Sequence, residues 1–138
     1  NEVGAWNQLY DTGHKFYGLI DEVAPGANTD RLGLQDLALK LVHPVAPGWT
    51  LKADFHQFWT AVDPGNNRTA WVGTNESAAD DKDIGHEIDL TLKTKYNANT
   101  AVQFGYSYFN PTTTWMHIDG DTTDENSNWL YAQVNFTY

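Results

Sequence analysis

The sequence predicts an all-β chain, the C-terminal part of an antiparallel transmembrane β-barrel contributing about five to six strands with long extracellular loops and short periplasmic turns. Three observations predict it. Apolar and polar residues alternate with period 2 over several stretches, so each strand has one apolar and one polar face. The connections between those stretches alternate between long and short. Aromatics make up 14% of the 138 residues, yet the mean hydropathy is negative, at -0.54. A membrane barrel reconciles the last two facts, because only alternate residues meet lipid and aromatic girdles sit at both interfaces.

Taken in chain order, the stretch from His14 to Ile20 offers a weak strand in which neither face is clean. Leu37, Leu39 and Leu41 then alternate with Asp36 and Lys40, and Pro44 to Gly48 reads as a turn. Beyond it, Trp49, Leu51, Ala53, Phe55 and Trp59 alternate with Lys52, Asp54 and His56. Ile88, Leu90, Leu92 and Tyr96 alternate with Glu87, Asp89, Thr91, Lys93 and Lys95, and Asn97, Ala98 and Asn99 join this strand to the next as a hairpin. In that next strand Val102, Phe104, Tyr106 and Tyr108 alternate with Gln103, Gly105 and Ser107 until Pro111 ends the pattern. The closing strand has Leu130, Ala132, Val134, Phe136 and Tyr138 on one face, and Tyr131, Gln133, Asn135 and Thr137 on the other.

The order of connections is an independent indication. Residues 22–32, 63–84 and 111–127 form long loops, while 44–48 and 97–99 form short turns, the sorting seen between the two sides of an outer-membrane barrel. A soluble sandwich has no reason to sort its connections this way, or to carry Leu, Phe and Tyr outward on every strand. About six strands cannot close such a barrel, for which about eight is the practical minimum. Residues 1–138 are therefore expected to be the C-terminal segment of one outer-membrane barrel domain, a fragment of a longer chain, the alternative being several copies that share one barrel.

Composition excludes several classes. Formal net charge is -10, from 18 acids against 8 bases, and the bases are scattered, which disfavours nucleic acid as a partner. Cysteine is absent, so no disulfide framework or thiolate metal site is available. No window approaches 18 consecutive apolar residues, so no transmembrane helix is expected. No charged-then-apolar leader precedes Asn1, and the chain is expected to begin after any export signal.

The alternation places Asp36, Lys40, Lys52, Asp54, His56, Glu87, Asp89, Lys93 and Lys95 on the pore-facing side. Around a turn at 44–48, positions 40 and 52 should share a height, as should 36 and 56. That arrangement makes the wall basic near the short turns and acidic near the long loops, favouring anions at the periplasmic end. The plainer alternative is a solvated polar lining with cross-strand pairs. Asp119, Asp121, Asp124 and Glu125 concentrate acid in one loop as a weak calcium candidate, but the EF-hand spacing is missing, so a solvated loop is expected. The run Asp80, Asp81 and Asp83 is treated alike, and either loop could share divalent cations with lipopolysaccharide phosphates. His14, His43, His56, His86 and His117 lack ligand spacing. Ser77, Ser107 and Ser127 lie in no Gly-x-Ser-x-Gly elbow. No cofactor, no metal and no enzymatic activity are expected.

Several segments together resemble the alginate export family of outer-membrane channels: Gly13-His-Lys-Phe-Tyr-Gly-Leu-Ile-Asp21, Gly33-Leu-Gln-Asp-Leu-Ala-Leu-Lys40, Leu51-Lys-Ala-Asp-Phe-His56, Gly85-His-Glu-Ile-Asp-Leu-Thr-Leu-Lys93, Gly105-Tyr-Ser-Tyr-Phe109 and Trp129-Leu-Tyr-Ala-Gln-Val-Asn-Phe136. The resemblance implies a porin-like barrel, of about 18 strands in its best-known members, passing a polyanionic polysaccharide or other small polar solutes. One departure stands out: the arginines are Arg31 and Arg68, both in predicted loops, whereas alginate exporters are expected to line the constriction with Arg and Lys. The terminal pattern of Leu130, Val134, Phe136 and Tyr138 resembles the signal by which such barrels are recognised for assembly. The expected location is the Gram-negative outer membrane, with membrane lipid, lipopolysaccharide, the barrel assembly machinery and small polar or anionic solutes as partners. A structural barrel that anchors or shields another protein without flux is the rival reading.

Overall fold

A computed structural model describes residues 13–23, 29, 32–64, 82–119 and 125–138. Five strands form one antiparallel meander in the order of the chain: β1 (Leu34–Ala46), β2 (Trp49–Thr60), β3 (Asp83–Asn97), β4 (Thr100–Pro111) and β5 (Ser127–Phe136). The fold is thus an all-β sheet, with a short helix, α1 (Thr113–Asp119), between β4 and β5. Among the described residues the sheet is open, with β1 and β5 at its edges.

The period-2 pattern holds on every strand. Directly paired residues in an antiparallel ladder point the same way, and the ladder links Lys40 to Asp54, Asp54 to Asp89, Asp89 to Ser107 and Ser107 to Trp129. One residue along, it links Leu41 to Ala53, Ala53 to Leu90, Leu90 to Tyr106 and Tyr106 to Leu130. One face is therefore polar and the other apolar across the whole sheet.

Three expectations need correction. The first hairpin closes on Pro47 and Gly48 alone, with β1 continuing through Pro44 to Ala46. Gly48 takes φ +78, a conformation that glycine adopts without cost, and Pro47 supplies the fixed φ of the preceding turn position. Pro44 pairs with Thr50 at the turn end of the ladder, beside the register shift between Pro44 and Ala46, an irregularity where proline is tolerated. The stretch from His14 to Ile20 is not a strand. Its backbone bends at His14 (φ 55), Gly18 (φ 82) and Asp21 (φ 61), left-handed values incompatible with an extended run. The connection 111–127 is not wholly loop, since it contains α1, whose start is capped by Thr112: the Trp115 amide donates to Thr112 Oγ1 at 3.4 Å.

The buried core lies at the end of the sheet remote from the two hairpin turns, on the polar face. Phe58 of β2, Ile84 of β3, Phe109 of β4, Trp115 of α1 and Val23 form it, with Tyr17, Ile20, Leu34 and Ile118 packed around them. Trp115 meets Phe109 edge-on, with centroids 6.1 Å apart, a favoured aromatic geometry. A bulge between Phe58 and Trp59 in the β2–β3 ladder accompanies the inward turn of Ile84. Gly85, at φ +141, sits so close to the Asn110 carbonyl that a β-carbon would collide with it. A bulge at a strand end re-aims side chains in this way.

Candidate functional site

The nine charged or ionisable residues expected on one face do share it: Asp36, Lys40, Lys52, Asp54, His56, Glu87, Asp89, Lys93 and Lys95 all fall in the polar register. Their heights differ from expectation by one ladder step. Because the turn is centred on 47–48, Lys40 faces Asp54 rather than Lys52, and Asp36 faces Phe58 rather than His56. The Lys40 ammonium lies 3.4 Å from Asp54 Oδ2, and His56 Nδ1 reaches diagonally to Asp36 Oδ2 at 2.9 Å.

Ordered by height from the hairpin turns, the face begins with Lys95, then Lys93 beside Gln103 and Gln133, then Lys52 beside Thr91 and Tyr131. The next row is mixed, with Lys40, Asp54, Asp89, Ser107 and Trp129. Above it lie His56 and Glu87, then Asp36. The gradient from basic to acidic survives the correction, and Lys40 moves from the basic end into the mixed row, where Asp54 offsets it. Among the described residues Lys52, Lys93 and Lys95 have no ion pair, which leaves the positive end uncompensated.

Burial divides the two ends. His56, Glu87, Asp89 and Ser107 are almost fully enclosed, at 1%, 0%, 2% and 0% exposure. Glu87 Oε2, both Asp89 carboxylate oxygens, Asp54 Oδ1 and Ser107 Oγ have no hydrogen-bond partner among the described residues. Lys93, Lys95, Gln133 and Asn135 are exposed. Residues 13–23 cross the polar face and cover Glu87. The amides of Leu19 and Ile20 both donate to Glu87 Oε1, at 2.7 and 2.9 Å. His14 stacks on Trp129 of β5 with ring centroids 4.5 Å apart. It is also tied to its own segment, through its backbone amide to Asp21 and through Nδ1 to the Leu19 carbonyl at 2.7 Å.

Sequence reasoning missed this crossing segment and the aromatic cover on β4. Trp129 and Tyr131 stack on each other at 4.6 Å. The Tyr131 ring fills the space above Gly105, where any β-carbon would overlap it. The Tyr131 hydroxyl accepts from Gln103 Nε2 at 2.8 Å. A glycine inside a strand is the usual sign of such close approach, and Gly105 opposite an aromatic was that sign here.

The acidic loop is described only in part. Asp121 and Asp124 lie outside the described residues, Asp119 ends α1, and Glu125 is exposed. Asp80 and Asp81 also lie outside them, while Asp83 accepts from Gln57 Nε2 at 2.7 Å. Among the described residues no group of three or more His, Asp or Glu is arranged to hold a metal ion. No helix among them is long and apolar enough to cross a membrane. Comparison with known proteins finds no matching family model, no matching curated protein and no matching solved structure.

Proposed function

We propose that this chain is part of the wall of a Gram-negative outer-membrane β-barrel, a channel for passive passage of polar or anionic solutes of the kind the alginate export family forms. One observation carries the reading: the sheet is inverted relative to a water-soluble one. Its apolar face stands open, with Leu39 at 63% exposure, Leu41 at 65% and Leu130 at 79%, joined by Leu37, Ile88, Leu90, Phe104, Tyr106, Val134 and Phe136. Its charged face holds the buried residues. Soluble proteins rarely expose an apolar patch of this extent, whereas lipid hydrocarbon favours contact with it. On this reading the unpaired backbone at the β1 and β5 edges needs further strands, because hydrocarbon cannot satisfy those groups.

The polar face then lines water. Lys52, Lys93 and Lys95, uncompensated near the hairpin turns, raise the potential there and enrich anions over a screening length of about 8 Å at physiological salt. Reversal potential of the full-length protein in a planar bilayer under a salt gradient tests this. Anion preference is expected, moving toward cations when Lys52, Lys93 and Lys95 are replaced by Glu. An unchanged reversal potential would overturn the selectivity assignment. The segment crossing the polar face also favours a second reading, a structural barrel without flux, and the same recording distinguishes the two by whether any current passes.

A further inference from the structure

We infer that residues 13–23 form a strap inside the lumen that narrows the passage near its loop end, and that Glu87 is the positioning residue that holds the strap in place. The inference rests on the channel reading proposed above and adds the element that sets the bore.

The strap runs across the strands rather than along them. It is fixed to β3 where the Leu19 and Ile20 amides meet Glu87, and to β5 where His14 stacks on Trp129. Those anchors are two strand spacings apart, about 10 Å. Between them Tyr17 and Ile20 pack against the cluster of Phe58, Phe109 and Trp115. Chain packed on a sheet face adds a layer about 10 Å thick, enough to take up much of a solute-sized bore on this side.

Its shape is built in. His14, Gly18 and Asp21 hold positive φ, so the segment folds back on itself, and the contacts of His14 with Asp21 and the Leu19 carbonyl close that fold. Gly18 is buried directly over the Glu87 carboxylate, where a β-carbon would overlap its oxygens. Only glycine meets both demands at that position, the backbone angle and the close approach. Glu87 receives two amide N–H groups through one oxygen, so it grips the strap by main chain.

The test uses the full-length protein in planar bilayers, with folding verified by heat-modifiable gel mobility. Glu87→Ala removes the grip, and Glu87→Gln keeps an oxygen acceptor. A severalfold rise in single-channel conductance and a larger solute cut-off are expected for Glu87→Ala, with Glu87→Gln close to wild type. Deleting residues 14–20 should give the same rise, and serves if Glu87→Ala fails to fold. A wild type that conducts alongside variants of identical conductance would overturn the strap and leave the channel reading standing. A silent wild type with conducting variants would support the strap as a complete plug. Silence from all of them would overturn the channel reading and the constriction together. Hydrogen exchange reads the grip without flux: Leu19 and Ile20 amides should be protected in wild type and lose protection in Glu87→Ala, and unprotected amides in wild type would refute the anchor.

Discussion

Leu90 is the middle residue of the 15-residue strand β3, flanked on the same face by Ala53 and Tyr106. It is 39% exposed in the sheet, so its side chain has room to change without steric conflict. If that face meets hydrocarbon, Leu90→Arg places a guanidinium near the midplane, at a cost of about 2 to 4 kcal/mol. That is roughly a 30- to 900-fold loss in the folding equilibrium. If the face meets water, the same exposed substitution should stay within about 0.5 kcal/mol. The two outcomes are far enough apart to decide. The matching control is Gln133→Arg, which is exposed on the polar face and loses one hydrogen bond to Asn135. Thr91→Arg is a poorer control than its place in the alternation suggests, because Thr91 is buried beside Tyr131. Chemical denaturation of the full-length protein in lipid vesicles, followed by tryptophan fluorescence, measures both variants. Equal shifts for Leu90→Arg and Gln133→Arg would refute the assignment of faces.

A cysteine placed at Glu125 should react with a membrane-impermeant reagent on intact cells, and one placed at Ala98, in the β3–β4 turn, should stay silent; the opposite pattern inverts the topology. Deleting Tyr138 should lower outer-membrane yield sharply, whereas Thr137→Ala should be mild, since Thr137 is tied to Asn99 through its backbone amide and carbonyl; normal yield from the deletion would remove the terminal aromatic from the assembly signal. Gly105→Ala should destabilise by about 1 to 3 kcal/mol by forcing Tyr131 aside, and the loss should largely vanish on a Tyr131→Ala background; additive losses in that double-mutant cycle would show that Tyr131 does not cover Gly105.

Which side chains share a face was legible because period-2 alternation is a local property that any antiparallel ladder preserves. Leu37 to Leu41, Ile88 to Leu92 and Leu130 to Phe136 therefore fell on one face together. Height was less legible. Pro44 looked like a turn residue, but it continued the ladder opposite Thr50, and moving the turn centre by one residue moved every β1–β2 pair by two. That is why Lys40 meets Asp54. The helix α1 spans seven residues, too few for a helical period to register above its threonines. The strap was illegible for a different reason: its anchors, Glu87 and Trp129, lie far along the chain, and no local pattern announces two amides converging on one carboxylate. Alternation identified Glu87 as polar-facing but could not reveal that it is buried under a segment about 70 residues away, as the separations of 67 and 68 residues in those hydrogen bonds indicate.

In a membrane barrel the exposed apolar face lies against lipid. The most direct measurement is a nitroxide scan of β5 from Trp129 to Phe136 in the full-length protein reconstituted in vesicles, recording relaxation by oxygen, which concentrates in hydrocarbon, and by a water-soluble nickel chelate. Oxygen should dominate at Leu130, Ala132, Val134 and Phe136, and the chelate at Tyr131, Gln133 and Asn135, in strict alternation. Chelate access at Leu130 and Val134 equal to that at Gln133 would mean that the apolar face meets water, and would contradict its place against lipid.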